Sequence, residues 1–410
     1  MKFTIPLGKH NLYRMMRNQW KVARKRPVLK TNAEKVLQAN NLELVDANEF
    51  VASPKKTFDF SSIVGLAPRP VPKDENHPLY KEQPCFFYRD HSVLLEGLPQ
   101  ALALTNTVQL EADTLPPRIQ KLVDQVQLPN QDELVQRCIK TTCLYDAEQK
   151  KLPVRKDPER PAWNFPRDFG ITESRKNRML CSRLVHLCSL ASPEISRQRH
   201  VLHDAPLCAS LMWDSDPVML EVRADMCLVA DKPLNPLVEP AEAEGLEVPE
   251  LTVSHPLISL EEDNFYELKD VFPLQPDSKF SQVQTVIVHH NLTEVKNLFD
   301  APVQESQLLG RSLMKAYTMA VTQARYNYGP QVKELPQPLV VQCVQTDGQN
   351  FHFSVLQLHS TEVDCHRRNV YWSLPPLPLY DDCSYVQAVP LLQGYNAQVF
   401  KQLLAFYINN

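Results

Sequence analysis

The sequence predicts an α+β fold: a largely antiparallel sheet built from hairpins, with helices packed on it and an extended segment ahead of it. Three observations carry this. Two stretches, 207–224 and 340–358, are apolar runs folded around Asp-rich turn signals. Others repeat apolar residues at helical spacing. Strand-like runs join one another as hairpins but are separated from other strands by helices, the α+β order.

Taken in order, residues 1–30 carry nine Lys or Arg and no acid before Glu34. At 100° per residue, Arg14, Arg17, Lys21, Arg24 and Lys25 share one side, and Leu12, Tyr13, Met16, Trp20 and Ala23 gather on another; Arg26 follows as a sixth cation. An acid-free, Arg-rich amphipathic start is the pattern of a mitochondrial targeting segment. The same six cations also suit an arm lying along RNA phosphates. Residues 31–90 read as a Pro-rich extended segment after a short helix from Asn32, and 91–410 as one large α+β domain.

Within that domain, helices are expected from Ser92 (broken at Pro99), from Leu115 at a proline pair, and from Asn130 as cap with acids in the first turn. Thr172 opens another, with Leu180, Leu184, Leu187 and Cys188 on one face. The hairpin 207–224 follows, then 233–268, which has nine acids and no Lys or Arg and reads as a solvated acidic connection. A strand ending at His289-His290 precedes the longest helix, whose seam is Leu309, Leu313, Tyr317, Ala320, Ala324 and Tyr328 and whose stop is Gly329. Phe400, Leu403, Leu404 and Tyr407 mark a final amphipathic helix.

The stretch Val340–His366 holds three histidines, two cysteines and three acids, and invites a catalytic or metal reading. Strand geometry argues against it. Asp347-Gly348 between apolar runs predicts a type I′ hairpin turn with both positions at positive φ. Phe351, Phe353 and Val355 then share one face and Leu356 and Leu358 the other, as in a bulged strand or one buried on both sides. His352 and His359, seven apart, face opposite sides, and so do His289 and His290.

Composition excludes further classes. The nine glycines lie at least nineteen positions apart, so no Gly-rich phosphate loop exists. Ten cysteines include no C-x-x-C pair, and Cys343, Cys365, His366 and Cys383 are the one zinc set worth naming. The reading is therefore no metal, no cofactor and reduced thiols. Cys85 with His91 is the best nucleophile–base pair by proximity, on weak grounds. No apolar run is long enough for a membrane span. A net charge of −4 confines any nucleic-acid contact to a local patch.

Two stretches resemble a known family: HPLYKEQPCFFYRDHSVLLEGLPQALALTNT (77–107) and LPQPLVVQCVQTDGQNFHFSVLQLHSTEVDC (335–365). The matching positions in the second are Gln337, Pro338, Val340, Val341, Gln342, Thr346, Asp347, Gly348, Phe351, His352, Phe353, Gln357 and Leu358, while Cys343 and His359-Ser360 depart. The family is that of the mitochondrial large-subunit ribosomal protein numbered thirty-seven, and the resemblance covers about residues 75 to 410. It implies a non-catalytic component of the large subunit in the mitochondrial matrix, contacting rRNA and other mitochondrial ribosomal proteins. It also implies pairing as a heterodimer with the sister protein once labelled small-subunit protein thirty, and no small-molecule substrate. The alternative is a matrix RNA-processing or hydrolytic enzyme, which requires a pocket of convergent acids or a Cys/His pair.

Overall fold

The computed structural model describes residues 9–24, 32–43 and 73–410, except 111–112, 155–156, 158, 161, 164, 240–241, 243–247, 250, 252–254, 276–277, 292–293, 296–300, 364 and 388. The chain divides into two units, Met1–Val71 and Pro72–Asn410. In the first, α1 (Lys9–Arg24) and α2 (Ala33–Ala39) are helices. The first turn of α1 has no acid, and its Arg14, Arg17 and Lys21 are exposed, as are Met15, Met16 and Val22.

The second unit runs β1 (Tyr80–Arg89), α3 (Leu98–Leu104), β2 (Thr107–Gln109), α4 (Pro117–Leu122), α5 (Gln131–Leu144), β3 (Lys150–Lys151), β4 (Phe169–Gly170), α6 (Glu173–Ala191), α7 (Pro193–Ser196), β5 (Arg199–Trp213) and β6 (Asp216–Ala230). It continues through β7 (Glu261–Phe265), β8 (Gln282–His289), α8 (Glu305–Tyr328), β9 (Glu334–Thr346), β10 (Asn350–Ser360), β11 (Asn369–Ser373), β12 (Leu377–Pro378), β13 (Asp382–Val386), β14 (Val389–Gln393) and α9 (Ala397–Ile408).

The main sheet follows the order β2-β11-β10-β9-β8-β6-β1-β7, with β5 on β6 and β12 on β10. The expected hairpins β5–β6 and β9–β10 are its antiparallel backbone. Three pairings are parallel, β1–β6, β2–β11 and β8–β9, so the sheet is mixed. Parallel neighbours need a crossover, and α8 supplies the one between β8 and β9.

Helices cover both faces. On one, Leu339, Val341 and Cys343 of β9 and Leu356 and Leu358 of β10 pack with Leu313, Tyr317 and Ala320 of α8 and with Leu98 and Leu102 of α3. On the other, Val340, Val344, Phe351, Phe353 and Val355 pack with Ile119, Ile139, Leu184, Phe400 and Leu404 from α4, α5, α6 and α9. The period-2 switch read along β10 is thus a strand buried on both sides, and a register shift lies between Leu358 and Ser360. Sandwiched this way, α8 is buried all round its middle: Gly310 to Ala324 are all below the surface.

Local expectations hold where periodicity is strong and fail at several caps. Pro99 starts α3 rather than interrupting a longer helix, because the first turn tolerates a missing N–H and Gly97 precedes it at φ 68°. Asn130 precedes α5 in the left-handed region, φ 56°, without a side-chain cap bond. Asn396 does cap α9, accepting from the Gln398 N–H at 3.0 Å. The acidic stretch is not wholly solvated: Leu257 and Tyr266 are buried, and Glu261–Phe265 form β7 at the sheet edge against β1.

The hairpin tip differs from a type I′ turn. Gly348 has φ 95°, whereas Asp347 is absent from the positive-φ residues. Asp347 acts through its side chain instead, Oδ1 accepting from the N–H groups of Gln349 (2.8 Å) and Asn350 (2.6 Å), while Thr346 Oγ1 accepts from Gly348 N–H at 2.9 Å. A Cβ on Gly348 would lie 2.0 Å from Asn177 Oδ1. Gly348→Val, strained in backbone and space together, is expected to destabilise by about 1–3 kcal/mol; an unchanged thermal melt would refute the assignment.

Candidate functional site

The candidate site grows out of a break in the sheet ladder. One edge of β6 pairs with two strands end to end. β1 runs parallel to Val218–Glu221, and β8 runs antiparallel to Met226–Ala230. Their carboxyl ends therefore meet head-on beside residues 222–225 of β6, where no strand continues the ladder. Buried backbone groups need partners, and side chains supply them. Asp90, just past β1, accepts from Arg223 N–H at 3.0 Å, and Asp225 accepts from His289 N–H at 2.7 Å.

The opposite polarity comes from α8. Lys315 donates to the Arg223 carbonyl at 2.7 Å and pairs with Asp90 at 2.6 Å. One turn earlier, Arg311 donates to the carbonyls of His289 (3.3 Å) and Asp90 (3.1 Å). Both cations are about 2% exposed or less. A charged cleft of about 340 Å³ opens over this gap, lined further by Arg175 and Arg178 of α6, Asp204, and Glu294.

Protonation follows from burial. Desolvation, with Arg311 nearby, lowers Lys315 to about 8 against the pull of Asp90. Burial would raise the Asp90 carboxyl, but Lys315 and Arg311 outweigh it and hold it below its ordinary value. His289 is lowered by burial despite Asp225 beside it. Acids and a lysine thus converge here, yet each is spent on the ladder: Lys315 on Asp90 and a carbonyl, Asp90 on Lys315 and an amide. Beneath the cleft, Asp90, Asp225, Arg311 and Lys315 form a polar plug for an interrupted sheet.

The other sequence candidates fall apart in space. Cys85 is fully buried with Phe87, Cys208 and Met219, and burial lifts its thiol to about 11, whereas His91 is exposed beside Glu261 at 3.5 Å. Cys343 is buried against Ser312 of α8, 3.4 Å between Oγ and Sγ, far in character from the half-exposed Cys365 and Cys383. Among the described residues no group of three or more His, Cys, Asp or Glu is placed to hold a metal. His359 pairs with Gln357 across 2.7 Å, and His352 lines a different region. Of the six basic-arm residues, Arg14, Arg17 and Lys21 are exposed on α1 and Arg24 is its last residue, while Lys25 and Arg26 lie outside the described residues.

The glutamines of the motif knit layers together. Gln342 donates to Thr285 Oγ1 (2.7 Å) and the Phe406 carbonyl (3.0 Å), Gln345 to the Leu308 carbonyl (2.8 Å), and Gln357 accepts from Leu237 N–H (2.7 Å). Sequence reasoning marked Gln342 and Gln357 by resemblance but gave them no role, and it did not single out Gln345. It missed Asp90, Arg311 and Lys315 altogether: at helical spacing 311 and 315 fall opposite the apolar seam, where a solvated face is expected, and only the burial of α8 on all sides brings them inside.

A family model described as Mitochondrial 28S ribosomal protein S30 (PDCD9) matches residues 284–410, which span α8, the motif hairpin and α9. Across most of the chain the similarity is to large ribosomal subunit protein mL37. That of Mus musculus is 30% identical over 355 residues, 81% of this chain and 76% of the relative. The chain belongs to the mL37 family. The mL37 proteins of Rattus norvegicus and Bos taurus are each 28% identical, over 351 and 371 residues, covering 81% and 83% of this chain and 77% and 79% of the relatives. Membership of the mL37 family agrees with a motif whose residues build hairpin, core and interlayer bonds. Among the described residues no helix is long and apolar enough to cross a membrane.

Proposed function

We propose that this protein is a non-catalytic structural component of the large subunit of the mitochondrial ribosome, residing in the matrix. The observation that carries this is similarity over four-fifths of the chain to proteins named for the large ribosomal subunit. The self-compensated cleft supports it, because its acids and lysine are bound to the fold. Sedimentation of matrix extract tests it: the protein should travel with the large subunit, and recovery only among free proteins would refute it. The alternative, a matrix hydrolytic or RNA-processing enzyme, draws on the convergence of Asp90, Asp225 and Lys315; it requires RNA cleavage by the purified protein that Lys315→Met abolishes.

In this reading residues 1–30 are the basic arm or targeting segment, and the body expected over 91–410 also takes in β1, Tyr80–Arg89, which pairs with β6 and β7. Arg14, Arg17, Lys21, Arg24, Lys25 and Arg26 contact rRNA, while the acids of 233–268 face away from it. Affinity for rRNA is expected to fall steeply with salt, with the log–log slope lessened by about 2–3 when Arg14, Arg17 and Lys21 are changed to Gln, at about 0.7–0.9 per phosphate contact. A filter-binding salt series measures the slope. N-terminal sequencing of protein from assembled ribosomes checks the arm, since a mature start beyond Arg26 leaves those six residues a targeting role alone. The sister protein is the proposed heterodimer partner; a shared C-terminal region, matched by the model named for S30, supports this.

A further inference from the structure

A second cavity, of about 350 Å³, lies between the start of α8, the end of β9, the start of β10 and Pro375-Pro376. Its floor is three buried polar side chains: His352, His290 and Gln345, at 4%, 8% and 2% exposure. Among the described residues, neither ring nitrogen of His352 has a partner, nor does His290 Nδ1 or Gln345 Oε1. The Gln345 amide is fixed by its Nε2 bond to the Leu308 carbonyl, which leaves Oε1 as its unmet acceptor. Buried polar atoms without partners are costly, and so many around one cavity mark a place that something else completes.

The chemistry of the occupant follows from what lines the space. Burial lowers His290 to about 4 and His352 to about 3, so both rings are neutral at physiological pH and each offers one acceptor nitrogen beside one N–H donor. Glu305 and Asp347 add two carboxylates at the rim, and the described lining residues include no Lys or Arg. Leu308, Leu309 and Pro376 give apolar walls. Acceptors in excess, negative charge and an apolar sleeve fit a guanidinium on its methylene stem. A phosphate-bearing nucleotide would meet the two carboxylates without a compensating cation.

We propose that this cavity receives an arginine side chain from a basic segment of a neighbouring protein. The inference deepens the ribosomal reading by naming one contact of the body with a partner, and its test is separate from sedimentation. Full-length protein is titrated calorimetrically with a capped Gly-Arg-Gly peptide, the same peptide carrying citrulline, and AMP. Saturable binding of the arginyl peptide is expected, at least tenfold weaker with citrulline. Glu305→Gln, an exposed change at the first turn of α8, should weaken the arginyl peptide about threefold to fivefold and leave the citrulline peptide unchanged. His352→Leu should abolish binding and raise the Tm of the free protein, because it removes two unpartnered buried nitrogens. No saturable binding, equal affinity for citrulline, or preference for AMP overturns the pocket, even in a protein that sediments with the large subunit.

Discussion

Replacing Asp90 by alanine is expected to destabilise the protein by about 3–4 kcal/mol, more than replacing its partner. Removing Asp90 strips the Arg223 N–H of its acceptor and leaves the Lys315 ammonium, 1% exposed, with the Arg223 carbonyl, the weaker attraction of Asp225 and the repulsion of Arg311. Lys315→Met leaves the opposite charge behind, on an Asp90 side chain that is 49% exposed and reaches water, so about 2 kcal/mol is expected there. The double variant should recover about 1 kcal/mol or more relative to the sum, as coupled neighbours do. Urea unfolding of the four proteins measures all three quantities, and simple additivity would refute the pairing.

The sign of the pH effect gives an independent check on Asp90→Ala. Lys315 binds its proton less tightly in the folded state, about 8, than in the unfolded one near 10.5. Between these values the unfolded chain holds more protons, so this group makes stability rise with pH. Without Asp90 the folded value drops further and the window opens at lower pH. The penalty of the substitution should accordingly shrink when measured at pH 9 rather than pH 7.

Acidification is expected to cost the protein several kcal/mol between pH 6.5 and about 4. His290 and His359 are lowered to about 4 and His352 to about 3 by burial, from an ordinary 6.5. A group whose folded pKa is depressed supports the fold fully above its unfolded value and loses that support as pH falls toward the folded one. Each unit is about 1.4 kcal/mol, so three histidines at pH 5 put up to about 6 kcal/mol at stake, comparable with the whole stability of a domain. Asp90, also depressed, adds to the loss only below the ordinary carboxylate range, near 3.8. His352→Leu should reduce the slope of unfolding free energy against pH by about 1.4 kcal/mol per unit in this window. Chemical denaturation at half-unit steps reads the slope; a flat profile from pH 6.5 to 4.5 would refute neutral burial of these rings.

Much of the fold was legible because it depends on local repetition. Leu180, Leu184, Leu187 and Cys188 of α6, and Phe400, Leu403, Leu404 and Tyr407 of α9, are buried as their helical spacing demands. Asp214-Ser215 turns β5 into β6 between two long apolar runs. The hairpin at Asp347-Gly348 was equally visible, but not its turn type: whether Asp347 serves through backbone φ or through its carboxylate depends on two amides beyond it. Cap residues escaped for a similar reason, since Asn130 and Pro99 are each compatible with more than one place at a helix end.

By itself the sequence determined most of the helices and the two long hairpins β5–β6 and β9–β10, though not the β13–β14 hairpin, together with the basic acid-free start and the lack of phosphate-loop glycines or paired metal ligands. Each of these is set by neighbours a few residues apart. Only the tertiary structure decided that β8 pairs in parallel with β9 while β1 and β8 meet head-on along β6. That meeting calls Asp90, Asp225, Arg311 and Lys315 to one gap from positions up to 225 residues apart (90 to 315). It also decided that His290 and His352 look into one cavity, although neither makes a chelating pair with its sequence neighbour. Such pairings are chosen by the burial of two whole sheet faces under α8 on one side and α6 and α9 on the other. The alternation along a strand states that both faces are apolar, but the identity of the strand beside it is fixed only when the distant chain closes on it.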